Sequence, residues 1–216
     1  MEVLGVGIRG YFVQYRFIIP TSVKHSSYTY QKLFRAIYGY TQAVYKASGK
    51  NYHYHRNGIL STFPYIRPGK NCVIIPPGAF QSLQEFFKTG HNPTHNWEQK
   101  GEWKCTYFLN EKDIQEKEVV LALENLLSRK FVEGEEGLVK FSSEMKRMVE
   151  KGVNSTHKAS FVKEAQSIVD LEWFKQVYQQ SPVLLEFYEL YKKLKFDHSN
   201  VQAASQPQSG VSQPQA

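Results

Sequence analysis

This sequence predicts an α+β chain: an amino-terminal half ordered strand–helix–strand–strand–helix–strand, then a carboxyl-terminal half of helices. Three observations carry the prediction. Apolar residues alternate at period two in short runs before residue 110, and they recur at helical spacing after it. The charge divides at the same place: residues 1–110 hold 13 Lys/Arg and 4 Asp/Glu, a net +9, whereas residues 111–216 hold 14 and 16, a net −2. The expected organisation is therefore a basic half over 1–110, a helical lobe over 111–196 and a tail over 197–216.

Val13, Tyr15, Phe17 and Ile19 alternate with Gln14 and Arg16, a strand stopped by Pro20. Ser26 or Ser27 caps a helix in which Leu33, Phe34, Ile37, Tyr38, Val44 and Tyr45 recur at helical spacing, until Gly49 ends it. Tyr52 and Tyr54 alternate with His53 and His55, and Asn57-Gly58 signals a turn. An extended stretch from Ile59 to Ile66 leads through Arg67-Pro68-Gly69 to the run Cys72–Ile75, which Pro76-Pro77-Gly78 halts. A short helix runs from Phe80 to Lys88, with Gly90 at its end. Trp103, Cys105, Tyr107 and Leu109 then alternate as a final strand. This order is the split βαβ, or ferredoxin-like, arrangement βαββαβ, whose open sheet face often serves as a platform for RNA.

Beyond Asn110, Val119, Val120, Leu123, Leu126 and Leu127 share a helical face, and Arg129-Lys130 suits that helix's carboxyl end. Leu138, Phe141, Met145, Met148 and Val149 make a second stripe. A third helix, capped by Ser155 or Thr156, carries Phe161, Ala165, Ile168, Val169 and Phe174. Ser181-Pro182 opens a fourth, with Leu184, Leu185, Tyr188, Tyr191 and Leu194. Residues 197–216 repeat Ser-Gln-Pro-Gln twice and carry little that is apolar, so the tail is expected to be disordered.

Composition narrows the class. A hydrophobic content of 41% with 14% aromatics is globular. Two cysteines, Cys72 and Cys105, cannot build a disulfide framework and read as small hydrophobes in a reducing compartment. No charged segment precedes an apolar one in the manner of a signal peptide, and no apolar run approaches the ~20 residues a bilayer requires. The expectation is a cytoplasmic protein without a membrane partner.

The most informative feature is an acidic gap. Between Glu2 and Glu85 lie 82 residues with ten Lys/Arg, ten Tyr and no Asp or Glu. Uncompensated cations interleaved with aromatics suit a polyanion carrying stackable bases, which means RNA or single-stranded DNA. The candidate binding residues are Arg9 and Arg16 on or beside the first strand, and Lys32, Arg35, Tyr38 and Lys46 on the first helix. Lys50, Tyr52, Tyr54, Arg56, Arg67 and Lys70 follow in the extended segments and turns. Tyr38 and Tyr45 share a stripe with Leu33, Phe34 and Ile37, so a core position suits them better than a ligand. Tyr52 and Tyr54, beside histidines and Arg56, suit ligand contact.

His53 and His55 fall on one strand face. Their spacing resembles the His-hydrophobe-His metal motif of rolling-circle nicking nucleases, which also need a third ligand and a tyrosine nucleophile. No carboxylate lies close in sequence, and the available tyrosines, Tyr178, Tyr188 and Tyr191, sit on distant helices. His91 and His95 flank Pro93, which argues for a loop rather than helical metal ligands. Phosphate-loop and serine-nucleophile motifs are missing, so no catalytic residue is assigned and no metal or cofactor is expected. A third possibility is a structural or inhibitory protein that binds an acidic protein surface.

The strand ending Phe17-Ile18-Ile19-Pro20 carries a resemblance, as do the helix Leu33-Phe34-Arg35-Ala36-Ile37-Tyr38-Gly39, the segment Ser61-Thr62-Phe63-Pro64-Tyr65 and Pro76-Pro77. In these the amino-terminal half resembles the repeat-associated RNA-binding (RAMP) superfamily of CRISPR effector subunits, and within it the branch that caps the 5′ tag of the guide RNA. The resemblance covers about 80 residues. It implies a ferredoxin-like subunit of an antiviral ribonucleoprotein that grips RNA, with Arg35, Tyr38, Arg56 and Arg67 near the RNA. The near-neutral helical half would then dock other protein subunits.

Overall fold

A computed structural model describes residues 7–45, 51–92, 97–98, 103–134, 137–151 and 155–204. It is mixed α/β around a four-stranded antiparallel sheet. In chain order the elements of the first half are β1 (Ile8–Ile18), α1 (Tyr28–Tyr38), β2 (Tyr40–Tyr45), β3 (Asn51–Arg56), β4 (Ile66–Gly69), β5 (Cys72–Ile75), α2 (Phe80–Thr89), β6 (His91–Asn92), β7 (Trp97–Glu98) and β8 (Lys104–Ile114). The second half holds α3 (Glu116–Ser128), β9 (Phe131–Gly134), β10 (Gly137–Lys140), α4 (Phe141–Lys151), α5 (Ser155–Val169), α6 (Glu172–Val177) and α7 (Pro182–Ala204).

The main sheet has the order β4-β5-β1-β8, with β1 antiparallel to both neighbours. Alternation along β1 sends Val13, Tyr15 and Phe17 to one face, where they are buried with Leu33 and Ile37 of α1 and Leu83, Phe86 and Phe87 of α2. It sends Ile8 and Phe12 to the other face, against Val119 and Leu123 of α3, Trp173 of α6 and Phe187 of α7. One sheet thus separates two cores, and the helical lobe covers only one end of its second face.

Gly10 makes the docking of the lobe possible. A Cβ there would overlap the tip of Ile114 and press Trp173 at 3.1 Å. The absent side chain lets the indole lie on the strand, where Trp173 Nε1 donates to the Arg9 carbonyl at 2.8 Å. Arg129, the residue after α3, ties the halves together a second time. Its Nη2 donates to the Phe63 carbonyl at 2.6 Å, and the guanidinium lies 4.1 Å from the Tyr65 ring centroid.

Several elements differ from the sequence expectation. The first helix starts as expected, with the Ser27 hydroxyl accepting from the Tyr30 amide, but it ends at Tyr38 rather than near Gly49. Gly39 takes φ +73°, a left-handed conformation that costs glycine little, and it turns the chain out of the helix. Val44 and Tyr45 then belong to β2, and Tyr45 is 79% exposed rather than core. Tyr52–His55 lie on β3, which among the described residues pairs with β2 in a separate hairpin and not with the main sheet. The Ile59–Thr62 part of the expected extended stretch is a 3₁₀ turn.

The lobe contains a β9–β10 hairpin between α3 and α4 that helical periodicity did not suggest. Phe174 falls on α6, separated from α5. The last helix continues to Ala204, past the boundary expected at 197. Residues 205–216 lie outside the described residues.

Candidate nucleic-acid interface

Two surfaces bring the predicted cations together, and the first surrounds α1. The Arg35 guanidinium sits between two rings, 5.2 Å from the Tyr28 centroid and 4.7 Å from that of Tyr40, and Lys32 lies 5.0 Å from Tyr28. At the sheet edge Arg67 of β4 stacks 4.4 Å from Tyr38, whose ring packs on Tyr65 at 5.3 Å. The Tyr38 hydroxyl is already engaged, 2.9 Å from that of Tyr15. These tyrosines hold cations instead of presenting free faces to bases. Stacking fixes a guanidinium plane while leaving its N–H edge free to donate, which suits phosphate. Burial pushes both Tyr15 and Tyr38 upward in pKa, so they remain neutral phenols.

The second surface is the end of the sheet that the lobe leaves uncovered. Pairing places Gln14 opposite Phe108, Arg16 opposite Thr106, and Ile18 opposite Lys104, all on the uncovered face. Phe108 on the edge strand β8 is 61% exposed, and Ile18 on the neighbouring β1 is 49% exposed. A groove of about 600 Å³ runs across this face, lined by Arg16, Lys70, Thr106 and Phe108 and reaching Tyr30 at the start of α1. Lys70 is placed by the two-residue turn between β4 and β5, where Asn71 adopts φ +58°, a conformation asparagine tolerates. Among the described residues no acidic side chain lines the groove. Among the described residues, none of Arg16, Arg35, Arg56, Arg67 and Lys70 forms an ion pair with a carboxylate.

The remaining candidates separate. Arg9 is held bidentate by Glu111, at 2.5 Å and 3.1 Å, toward the opposite end of β1, so it is neutralised and away from the groove. Arg56 and Tyr54 are exposed on β3, and Tyr52 shares that strand. Lys46 and Lys50 lie outside the described residues. His55 shares a hydrogen bond with the Thr41 hydroxyl at 3.2 Å, and its ring packs 6.3 Å from Phe131. Burial, and then the charge of Arg129, lower its pKa. Among the described residues no three His, Cys, Asp or Glu side chains converge as a metal site. Both cysteines are free, and burial pushes the Cys105 thiol up to about 12, so it stays protonated.

Phe108, Lys104 and Gln14 were not among the predicted residues. The signal was present: Cys105 and Tyr107 facing inward on the last strand require Lys104, Thr106 and Phe108 to face outward. What the sequence does not carry is where the lobe stops covering that face. Comparison with known proteins adds nothing further, since no protein-family model, curated protein or solved structure matches this chain.

Proposed function

We propose that this protein binds single-stranded nucleic acid, RNA in the first instance, as a non-catalytic subunit of a ribonucleoprotein complex. That is the role implied by its resemblance to the CRISPR effector subunits. The observation that carries the reading is the groove on the uncovered half of the sheet, which Arg16, Lys70 and an exposed Phe108 line with no carboxylate among the described residues. Cations that track a backbone beside an aromatic platform are what single-strand binding requires. The strand order β4-β5-β1-β8, with helices joining β1 to β4 and β5 to β8, supports a ferredoxin-like unit with the β2–β3 hairpin inserted. A protein partner is proposed for the lobe, where Leu121, Val183 and Leu185 stay exposed. The nicking-nuclease alternative from His53 and His55 draws no support from the described residues. Among those residues, no helix is long and apolar enough to cross a membrane.

The test is fluorescence anisotropy with labelled single-stranded RNA and DNA over a range of salt. With about five phosphates contacted, log K falls against log[salt] with a slope near −3.5. The Arg35→Ala, Arg56→Ala, Arg67→Ala triple variant reduces that slope by about 2 while keeping its thermal transition. Arg9→Ala changes binding least, because Arg9 sits toward the end of β1 away from the groove. A protein that ignores every single strand at low salt yet binds an acidic protein would overturn the reading in favour of the protein-partner alternative.

A further inference from the structure

The main sheet ends on one side at β4 and on the other at β8, and the two edges are built differently. Strand β4 is four residues long, holds Pro68 and shifts register against β5, which blunts it as a template for pairing. Strand β8 is eleven residues long and pairs with β1 from Lys104 to Ile114 in one unbroken register. From Cys105 to Asn110 it carries no charge, no proline and no glycine.

The ladder on β1 decides which groups of β8 point away from the sheet. The Tyr15 amide donates to the Asn71 carbonyl on the β5 side at 2.9 Å, so Gln14 and Arg16 direct their polar groups to β8. Their opposite residues Phe108 and Thr106 answer them, and Tyr107, Leu109, Glu111 and Asp113 turn N–H and C=O outward. Among the described residues no strand or loop backbone meets those four. Nothing described roofs them either. The six residues from Phe108 to Asp113 are all exposed, on both faces of the sheet. Asn110 and Lys112 are exposed although Phe12 and Gly10, directly opposite, pack against the lobe. On the other face Leu109 is 37% exposed opposite the fully buried Val13. The layers that cover β1 stop short of this part of β8.

We propose that β8 pairs antiparallel with β8 of a second copy of this chain, joining two four-stranded sheets into one about a two-fold axis. An axis perpendicular to the sheet keeps each face with itself, so only alternate registers are possible. Pairing all eleven residues centres the axis on Leu109. Leu109 then faces its counterpart, and the two Phe108 rings meet diagonally on the other face. Thr106 faces Lys112 and Tyr107 faces Glu111, so no like charges are opposed. An axis at Phe108 would set Lys104 against Lys112 twice, and an axis at Asn110 would set Leu109 against Glu111. The charge pattern thus selects the register that also joins the exposed apolar side chains, and the strand matches itself. The pairing consumes both β8 edges and leaves the blunted β4 edges, so assembly closes at two chains. This inference does not rest on the single-strand reading.

The test is the mass of the purified full chain, by light scattering during size exclusion, in salt high enough to strip nucleic acid. The wild-type protein has twice the mass of one chain. Leu109→Lys opposes two ammonium groups at the axis and gives the mass of one chain, with its thermal transition kept because the residue is already exposed. Cross-linking reads the register. Opposed Cα atoms of a hydrogen-bonded pair lie about 5.5 Å apart, within the ~4.4–6.8 Å that a disulfide spans. Leu109→Cys therefore becomes a covalent dimer under mild oxidation. Lys112→Cys, about 20 Å from its counterpart, stays at the background set by the wild-type Cys72 and Cys105. A single-chain mass at every concentration would overturn the second copy and leave this edge to a strand of another protein. A dimer that survives Leu109→Lys, or cross-links as readily at 112 as at 109, would place the contact elsewhere and also overturn the proposal.

Discussion

At the scale of single residues, the guanidinium of Arg129 is the most demanding group in the molecule. It is largely buried, its Nε has no hydrogen-bond partner, and burial lowers its pKa. What holds it is a donor pair to the Phe63 and Leu60 carbonyls and the face of Tyr65. Arg129→Lys cannot reproduce the guanidinium plane stacked on Tyr65, so it costs about 1–3 kcal/mol in urea unfolding. His55 gives a pH signature with the opposite dependence to an ion-paired histidine. Its folded pKa lies below the ordinary 6.5, so the unfolded chain takes up the proton first as pH falls. Stability linked to His55 is complete above about pH 6.5 and declines as pH drops toward the folded value. In His55→Gln the urea midpoint loses that part of its pH dependence, and an unaltered profile would refute the assignment. From the sequence, Arg129 was legible only as a helix-end cation, because its partners lie more than sixty residues away.

At the scale of elements, the longest helix depends on the residue just before it. Ser181 is buried, its hydroxyl accepts from the Leu184 amide at 3.3 Å and donates to Glu124 of α3 at 2.6 Å, and Pro182 occupies the first helical position. Ser181→Ala removes the cap and strands a carboxylate partner, so it lowers unfolding free energy by about 1–2 kcal/mol. Pro182→Ala, which loses only a favourable φ, costs less. This helix start was readable because a cap is encoded in adjacent residues, as were Ser27 before α1 and Gly90 after α2. The β2–β3 hairpin was not readable. Val44 and Tyr45 continue the helical stripe of Leu33 and Ile37, and only the left-handed Gly39, packed against Gly58, diverts the chain. Periodicity alone does not distinguish a helix that continues from one that ends by chance in phase with a strand.

At the scale of the whole molecule, one sheet serves two cores and one surface. Its first face is sealed by α1 and α2, and its second is sealed by the lobe as far as Phe12 and left open beyond. The acidic gap in the sequence announced a basic half, and the structure brings Arg16, Lys70 and Phe108 to one groove with no acidic side chain among the described residues that line it. It also spends Arg9 on Glu111 and covers Tyr38 with Arg67, rearrangements that depend on tertiary packing and leave no local trace. The central claim, that this basic surface carries a nucleic acid, is tested most directly by purifying the full chain from cells without nuclease. The absorbance ratio at 260 and 280 nm is then read, and any co-purifying nucleic acid is sequenced. The account predicts a raised ratio and short RNA of uniform length, released by high salt. A ratio of bare protein, in a preparation that also fails to bind added single strands at low salt, would contradict it.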